Sequence, residues 1–451
     1  MDRAHASPDT SIMRRKVLII GGGPAGLTAA LRLRTLGHAV TLLEQGSELG
    51  GRLVHADADT IPPVLMGCQQ ATLSLLKTLG TSRHVRFSPR LRFEFLLPGG
   101  RAVPFRRLWG PAPLQTLLSL AAFGGLPFRD RWRLLTFIER AWEGDPPLAP
   151  DLEGRTADDW LVRSGQSGTA RDRIWNPLAR FLVGDDLATV SASSLLGQLV
   201  RCFLSSRRHS RLAIPDCGAR SLLLSPAYEQ ILKSGALVRL ETSADQIRCE
   251  AHRVSGVQLR TGEVLTADWY LAALPPRQLT RVLPERTLTR FAYFQQITQL
   301  TNVPALTIHL WMEQALRAPR LLLLAERTFH WIVGRPDPES PHRRSHLSLI
   351  ATGRADLLAR PDQELLELAL GEVSYAFPSA AAVTAKDYRI VRQPQAFLSV
   401  GPGAAALRPL QQSPLPNLLL AGDWTDTGLP ATLESAIRSG DLCAQIIASK
   451  D

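Results

Sequence analysis

The apolar positions near the start of the chain fall into three blocks. "KVLII", 16–20, is a continuous apolar run. "AGLTAALRLRTL", 25–36, spaces its apolar residues as a helix does, and "AVTLL", 39–43, is apolar again. In order they predict strand, tight turn, helix and strand. The far end has a related pattern. In "NLLLAGDWTDTGLPATLESAIRSG", 417–440, an apolar run ends at Ala421, Gly422 and Asp423 follow, and a helix is expected from Pro430. Between the two ends, 235–274 alternates apolar and polar residues (Val238, Leu240; Val254, Val257, Leu259), turns at Thr261–Gly262 and closes an apolar run at Leu274. That predicts further strands. Segment 71–205 predicts mostly helix, in "ATLSLLKTLG", "LQTLLSLAAF", "RDRWRLLTFIERAW", "TADDWLVRSG" and "SASSLLGQLVRCFL". Segment 290–400 predicts strands at 305–312, 329–335, 345–353 and 388–400, with an amphipathic helix over 363–377. There are no internal repeats.

At 451 residues the chain exceeds what one hydrophobic core organises, so two domains are expected. No apolar run reaches the roughly 18–20 residues that span a bilayer. The longest, "LQTLLSLAAFGGLPF" at 114–128, is interrupted by Gln115, Gly124, Gly125 and Pro127. Residues 1–13 read as a disordered polar tail rather than a signal peptide. The five cysteines, at 68, 202, 217, 249 and 443, form no CxxC, which implies reduced thiols in a cytoplasmic protein and no metal site. The net charge is +11, and 47 of the 52 basic residues are Arg. This reads as composition bias or as attraction to an anionic membrane face. No basic stripe with interleaved aromatics is present, so nucleic acid is not an expected partner.

The turn after the first apolar run carries Gly21-x-Gly23-x-x-Gly26, with Pro24 and Ala25 inside it. The first glycine permits the sharp turn, the second lets backbone approach a pyrophosphate, and the third lets helix pack on strand. The helix N-terminus then offers free N–H groups to phosphate. Glu44 closes the second strand where a carboxylate can bond ribose hydroxyls. With strand, helix and acid in place, the motif predicts dinucleotide binding.

"GSELGGR", 46–52, follows directly, with Gly50, Gly51 and Arg52. This second glycine pair with Arg resembles the extended fingerprint of the FAD-dependent amine oxidase and carotenoid desaturase superfamily. The resemblance implies FAD and an α/β fold: a discontinuous Rossmann-like FAD-binding domain with an α+β substrate domain. The flavin domain is expected over 14–70, 206–280 and 405–451, and the substrate domain over 71–205 and 281–404. It implies that Asp423, after Gly422, meets a ribityl hydroxyl. The helix entered through Gly428, Leu429, Pro430 and Ala431 would point its positive end at the flavin N1/O2 edge. A three-stranded meander near 235–274 would bring the backbone of Ala244 to adenine. Ala431, Ala436 and Gly440 are small enough for close packing.

"LLLAGDWTDTGLPATLESAIRSG" further resembles the C-terminal signature of the hydroxysqualene dehydroxylases of hopanoid biosynthesis, also called squalene-associated FAD-dependent desaturases. Four other stretches are similar to that family: 65–80, 174–196, 330–335 and 395–410. Two depart from it: "DTIPPV" at 59–64 stands where the family has a Gly-Gln-His run, and "VGDD" at 183–186 replaces an expected Asn-Thr. Both are expected to border the active site. The resemblance implies loss of an allylic hydroxyl from a C30 isoprenoid alcohol, with hydride from reduced flavin. It implies an unidentified NAD(P)H-dependent electron donor, since only one dinucleotide fingerprint is seen. Peripheral contact with the inner face of the cell membrane and channelling with squalene-synthase-like enzymes are also expected.

Carotenoid desaturation, amine or protoporphyrinogen oxidation, and a non-catalytic flavoprotein subunit remain alternatives. Loss of hydroxide calls for a proton donor, and Asp426 and Glu434 are candidates. Asp57, Asp59, Asp185 and Asp186 also lie in the departing segments. For each of these acids a solvated surface carboxylate is the better reading. Trp424 reads as a pocket wall or core residue. His342 and His346 read as residues of an exposed loop.

Overall fold

The computed structural model describes residues 14–89, 91–106, 118–119, 121–133, 150–206, 208–313, 315–316, 320–336, 345–378 and 384–450. The N-terminal tail, His342 and most of the helical stretches expected at 114–123 and 129–142 lie outside them.

The first strand, β1 (Lys16–Ile20), is buried at every position after Lys16. A strand apolar on both faces needs cover on both sides, the usual condition of a parallel sheet. β1 lies centrally in a five-stranded sheet. Its order is 418–420, 269–272, β1, β2 (Ala39–Leu43), 237–239. All four pairings are parallel. One face carries Val17, Ile19, Leu42, Leu271 and Leu419 against α1 (Pro24–Thr35), helix Ser225–Lys233 and the terminal helix Leu433–Ala448. The opposite face carries Leu18, Ile20, Tyr270 and Leu418 against Ile247, Val254 and Val257 of a meander. The meander strands are Ala244–Glu250, Arg253–Leu259 and Val264–Leu265. Asn417 clasps it to the sheet: its amide donates to the Val254 carbonyl and accepts from the Val254 N–H, both at 3.0 Å. The strand Leu237–Arg239, read above with the meander, instead pairs with β2 and ends the parallel sheet.

A second sheet has seven strands in the order 385–398, 302–312, 345–352, 331–336, 321–324, 92–97, 101–106. Its pairings are antiparallel except that of 321–324 with 92–97. The expected helix, Asp362–Ala376, covers one face through Leu365, Ala369 and Val373. The other face, with Phe93, Phe95, Leu323, Trp331 and Val333, shares an apolar cluster with the meander face of the first sheet. Helices Ala157–Arg163, Asn176–Val183 and Ala192–Leu199 contribute to this cluster.

Two elements differ from the sequence expectation. The hairpin Arg92–Leu97 and Arg101–Arg106 lies within a stretch expected to be mostly helical. Alternating Phe93, Phe95 and Leu97 face the core, and Gly99 and Gly100 take the positive φ of 85° and 74° that close the turn. The all-Leu strand Leu321–Leu324 was also not expected. Helix α2 (Gln70–Thr78), placed by the sequence with the substrate domain, buries Leu75 and Leu76 in the core of the parallel sheet.

His346 is not in an exposed loop. It lies on strand Ser345–Thr352, stacked on Trp311 with ring centroids 4.6 Å apart. Its Nε2 lies 3.3 Å from His309 Nδ1. His309 Nε2 donates to the Asp59 carbonyl at 2.7 Å, and Thr307 Oγ1 donates to the Thr60 carbonyl at 2.6 Å. These bonds pin the segment 59–60 beneath the sheet. Burial pushes the His346 imidazolium down to about 3, and burial lowers His309 and His330 as well.

These histidines fold uncharged, and the unfolded chain takes up their protons below the ordinary value of about 6.5. Stability is therefore fully present above that value and is lost as pH falls through the window down to the folded values. Urea unfolding at pH 7.5 and at pH 5 should show a clear drop. The His346→Gln variant should flatten the slope by up to about 1.4 kcal/mol per pH unit. An unchanged slope in the variant would refute this origin.

Candidate active site

The loop after β1 is built by exclusion of side chains. A Cβ at Gly26 would lie 2.0 Å from the Gly21 carbonyl oxygen, and one at Gly21 would lie 2.5 Å from that of Ala273. Neither position admits a larger residue. Gly23 differs, because a Cβ there meets only the Gly51 Cα, at 4.0 Å. Gly23 and Gly51 thus face each other across a slot with no side chain from either. Gly23 caps α1 without a side-chain bond, and the first turn of α1 carries no acid. Its leading N–H groups therefore stay available to an anion.

Glu44 holds this loop. Its carboxylate accepts from the Gly22 N–H at 2.8 Å and the Gly46 N–H at 2.9 Å. A carboxylate has about four lone-pair sites, so capacity remains for ribose hydroxyls. Opposite, the Arg52 guanidinium donates to the Asp423 carboxylate, an ion pair that joins the second glycine loop to the end of the last strand.

The loop between that strand and the terminal helix is pegged by a residue the sequence reading did not single out. Arg408 donates to the carbonyls of Leu429, Asp423 and Thr425 and to Ser435 Oγ, at 2.6–3.2 Å. Burial lowers its guanidinium below the ordinary range, while Asp426 and Asp423 oppose that. No local motif marks Arg408, since its partners lie 15–27 residues away.

These parts surround one cavity of about 890 Å³. Of the sequence-derived residues, Gly21, Gly23, Pro24, Ala25, Glu44, Gly51, Arg52, Ala244, Gly422, Asp423, Leu429, Pro430 and Ala431 line it. Gly26, Gly50 and Gly428 do not. Gly26 serves helix–strand packing, Gly50 is tucked beside Leu224 and Val54, and Gly428 is exposed in a turn. Trp424 lines the cavity and is 1% exposed, its indole N–H donating to the Leu274 carbonyl at 3.0 Å.

Neither acid proposed as proton donor is placed for that task. Asp426 faces solvent and accepts from the Gly428 N–H at 2.9 Å. Glu434 lines the cavity but is 4% exposed and accepts from the N–H groups of Ala71 and Thr72 and from Thr72 Oγ1 at 2.7–2.8 Å. Its carboxylate caps α2, with both oxygens occupied as acceptors.

The other acids are paired or bonded, Asp57 only at the surface. Asp59 is paired with buried Arg335 at 3.3 Å, Asp57 pairs with Arg389, and Asp186 pairs with Arg180. Asp185 accepts from the Asp186 N–H. Of the two departures from the resembled family, the one at 59–64 lines the cavity through Ile61, Pro62, Pro63 and Val64, while 183–186 stands one layer behind the wall. Gly184 ends a helix at φ 87° against the ring of Phe397, a wall residue.

The wall has two characters. Its nucleotide end carries the glycines, Glu44, Arg52 and Asp423. The rest comes from both sheets and the intervening helices, with Ile61, Val64, Met66, Phe181, Leu182, Trp331 and Phe397 beside Gln198, Arg201, Gln393 and Gln395. Cys68 and Cys202 also line it. Among the described residues, one other group brings metal-type ligands together: His84, Asp216 and Cys217, within 4.8 Å of one another. His84 Nδ1 lies 2.8 Å from the Asp216 carboxylate, and Arg83 donates to the other ring nitrogen at 3.3 Å, so both nitrogens of His84 are engaged.

A bare glycine slot at a helix N-terminus, an acid after the second strand and a last strand returning beside the first define a dinucleotide-binding flavoprotein. The chain belongs to the flavin containing amine oxidoreductase family, whose model matches residues 24–448. It is 27% identical over 464 residues to 15-cis-phytoene desaturase of Synechococcus elongatus, covering 97% of this chain and 96% of that protein. It is 25% identical over 476 residues to zeta-carotene desaturase of Synechocystis, covering 96% and 97%. Among solved structures, putrescine oxidase (a triple mutant) superposes with a TM-score of 0.74 at 17% identity, covering 97% of this chain and 99% of that one. Cyclohexylamine oxidase from Brevibacterium oxydans does so at 0.70 and 20%, with the same coverage.

The slot separates two glycine variants. Gly23→Val should fold, since the space beside it is open, but fill the place of the pyrophosphate. Purified protein should keep its far-UV spectrum and lose its flavin absorbance. Gly26→Val should instead destabilise the fold by about 3 kcal/mol or more. A yellow Gly23→Val protein would remove the assignment of this slot.

Proposed function

We propose that this flavoprotein acts on a long apolar isoprenoid and removes the allylic hydroxyl of hydroxysqualene to give squalene. The observation that carries the reading is the cavity wall: a nucleotide slot opens directly into a surface of Ile61, Val64, Met66, Phe181, Trp331 and Phe397. Such a wall suits an apolar chain. The similarity to proteins named phytoene and zeta-carotene desaturases supports an isoprenoid. The choice of dehydroxylation rests on the 417–440 signature. Desaturation is the second reading, favoured by that same similarity across 96–97% of the chain.

Bound flavin, once reduced, supplies the hydride equivalent. The carbon loses hydroxide and gains hydride, and a proton turns the hydroxide into water. This chain's residues have three tasks: to hold the apolar chain, to exclude bulk water and to ease the departure of hydroxide. The acids at the nucleotide end are engaged or exposed: Glu44 with its loop, Glu48 with Arg220, Asp423 with Arg52, Glu434 with α2, and Asp245 at the surface. Arg201 lines the apolar part of the wall. In this reading its task is to stabilise the leaving oxygen, with water as the proton source. Electrons come from a separate NAD(P)H-dependent donor.

Substrate and product of this reaction are nearly insoluble in water, so transfer through a lipid surface is part of the proposal. No helix among the described residues is long and apolar enough to cross a membrane. Phe128 and Trp132, 74% and 60% exposed, project beside Arg129, Arg131 and Arg133. Apolar side chains entering the interface while guanidinium groups meet lipid phosphate would dock the protein peripherally. Squalene-synthase-like enzymes on the same surface would then hand over substrate.

Anaerobic incubation of reduced protein with hydroxysqualene should yield squalene. Flavin reduced by a deuteride donor should label the carbon that lost oxygen, with a parallel run in heavy water to account for exchange. Arg201→Met should keep its flavin spectrum and lose about 100-fold in rate. Double bonds inserted into phytoene by the oxidised protein would replace this reading with desaturation. An intact flavin spectrum without turnover on either substrate would leave a non-catalytic subunit. Docking is tested by flotation: wild type should rise with anionic vesicles, and a Phe128→Ser, Trp132→Ser variant should not. Equal recovery with neutral vesicles would count against the arginines.

A further inference from the structure

The fold brings together two cysteines 134 residues apart: Cys68 Sγ and Cys202 Sγ lie 3.6 Å from each other. We propose that Cys68 and Cys202 form a redox-active dithiol in the cavity wall, which low-molecular-weight disulfides entering the cavity convert to an intramolecular disulfide. Both thiols are free, 4% and 3% exposed, and both line the cavity. The cavity is therefore their route of access. Cys68 precedes α2, and Cys202 lies in the π-helical turn Val200–Leu204. A disulfide bond is about 2.05 Å long, so the sulfurs need close by only roughly 1.5 Å.

The two thiols are not equivalent. The hydrogen bond from Cys202 and the positive charge of Arg201 lower the Cys68 thiol against the effect of burial. Cys202 is raised, first by that same hydrogen bond and then by burial. Arg201 acts on both thiols, but Cys68 also stands just before the N-terminal end of α2, which favours its thiolate, and is the attacking sulfur. Its thiolate attacks one sulfur of the incoming disulfide and expels a thiolate, leaving a mixed disulfide. Cys68 then no longer holds the Cys202 proton in place. Cys202 loses that proton, attacks the Cys68 sulfur and expels the second thiolate. Two cysteine thiols and one small disulfide become one protein disulfide and two small thiols, so atoms and electrons balance without another reactant.

The other cysteines lack this arrangement. Cys443 is fully buried and donates to the Leu420 carbonyl at 3.3 Å, and among the described residues Cys217 and Cys249 have no second sulfur in hydrogen-bond reach. The new bond would tie the start of α2, which Glu434 caps from the terminal helix, to the helical segment that carries Gln198 and Arg201. This inference is independent of the substrate proposed above.

The test uses the full chain, reduced, freed of reductant and exposed to glutathione disulfide. Free thiols are counted after denaturation, and the peptides are mapped by mass spectrometry. Two of the five thiols should disappear, with no glutathione retained and with a crosslinked pair joining 68 to 202. In Cys202→Ser, glutathione should instead remain attached to Cys68. Retention of all five thiols, a crosslink elsewhere, or glutathione kept by the wild-type protein without closure would overturn the proposal. If Cys202→Ser fails to fold, the wild-type thiol count and map decide alone.

Discussion

Helix Leu433–Ala448 approaches α1 so closely that the Ala25 carbonyl oxygen occupies the space of a side chain at Gly440: a Cβ there would lie 2.2 Å away. That contact brings the two ends of the chain together. It sets the last strand beside strand 269–272, in register Tyr270 with Leu418, and so brings Asp423 within reach of Arg52. The N-termini of α1 and of the terminal helix then open onto one cavity, each capped without a side-chain bond. Two positive helix ends at one place suit a group with phosphates at one end and a ring that gains negative charge on reduction at the other.

The remaining structure supports that junction. Arg408 stabilises the crossing loop with hydrogen bonds that water would otherwise take, and Glu434 uses its carboxylate to anchor α2 to the terminal helix. Asn417 fastens the meander over the far face. The second sheet turns its aromatic face toward the same side, so one apolar cluster joins the two sheets. The cavity forms where this shared cluster meets the glycine loops. A polar end and an apolar end therefore lie in one enclosure.

Charge is handled differently at the two ends. The acids near the nucleotide slot are held by backbone N–H groups or arginines, so their orientation is set before anything binds. Under the second sheet, histidines are held neutral by burial, and Asp59 and Arg335 neutralise each other. Of the carboxylates that sequence alone offers as acid catalysts, Glu434 is a cap, Asp59 and Asp186 are ion-pair partners, and Asp426 faces solvent. A polypeptide of this size buries many backbone ends, and each buried end needs a partner.

Much of the nucleotide slot was legible because its constraints are local. A strand, a turn that admits no side chain at Gly21 or Gly26 and a helix read out within twenty residues, and Gly21, Gly23, Gly26 and Glu44 sit where that grammar puts them. At the other end Asp423 follows the last strand where the resemblance puts it, but the helix expected from Pro430 begins at Leu433, with Thr432 as its N-cap. The alternation at 305–312 and 345–353 likewise announced strands. What needed the tertiary structure was every feature made by pairing distant segments. The hairpin at 92–106 was hidden in a stretch of helical composition. The role of Arg408 depends on carbonyls brought to it by a loop. Glu434 became a cap only when α2 arrived, and the Cys68–Cys202 pair exists only because a helix from the middle of the chain packs beside α2's entrance. Local backbone geometry is set by neighbours in the chain, whereas burial, ion pairing and the meeting of two thiols depend on which surfaces the fold presses together.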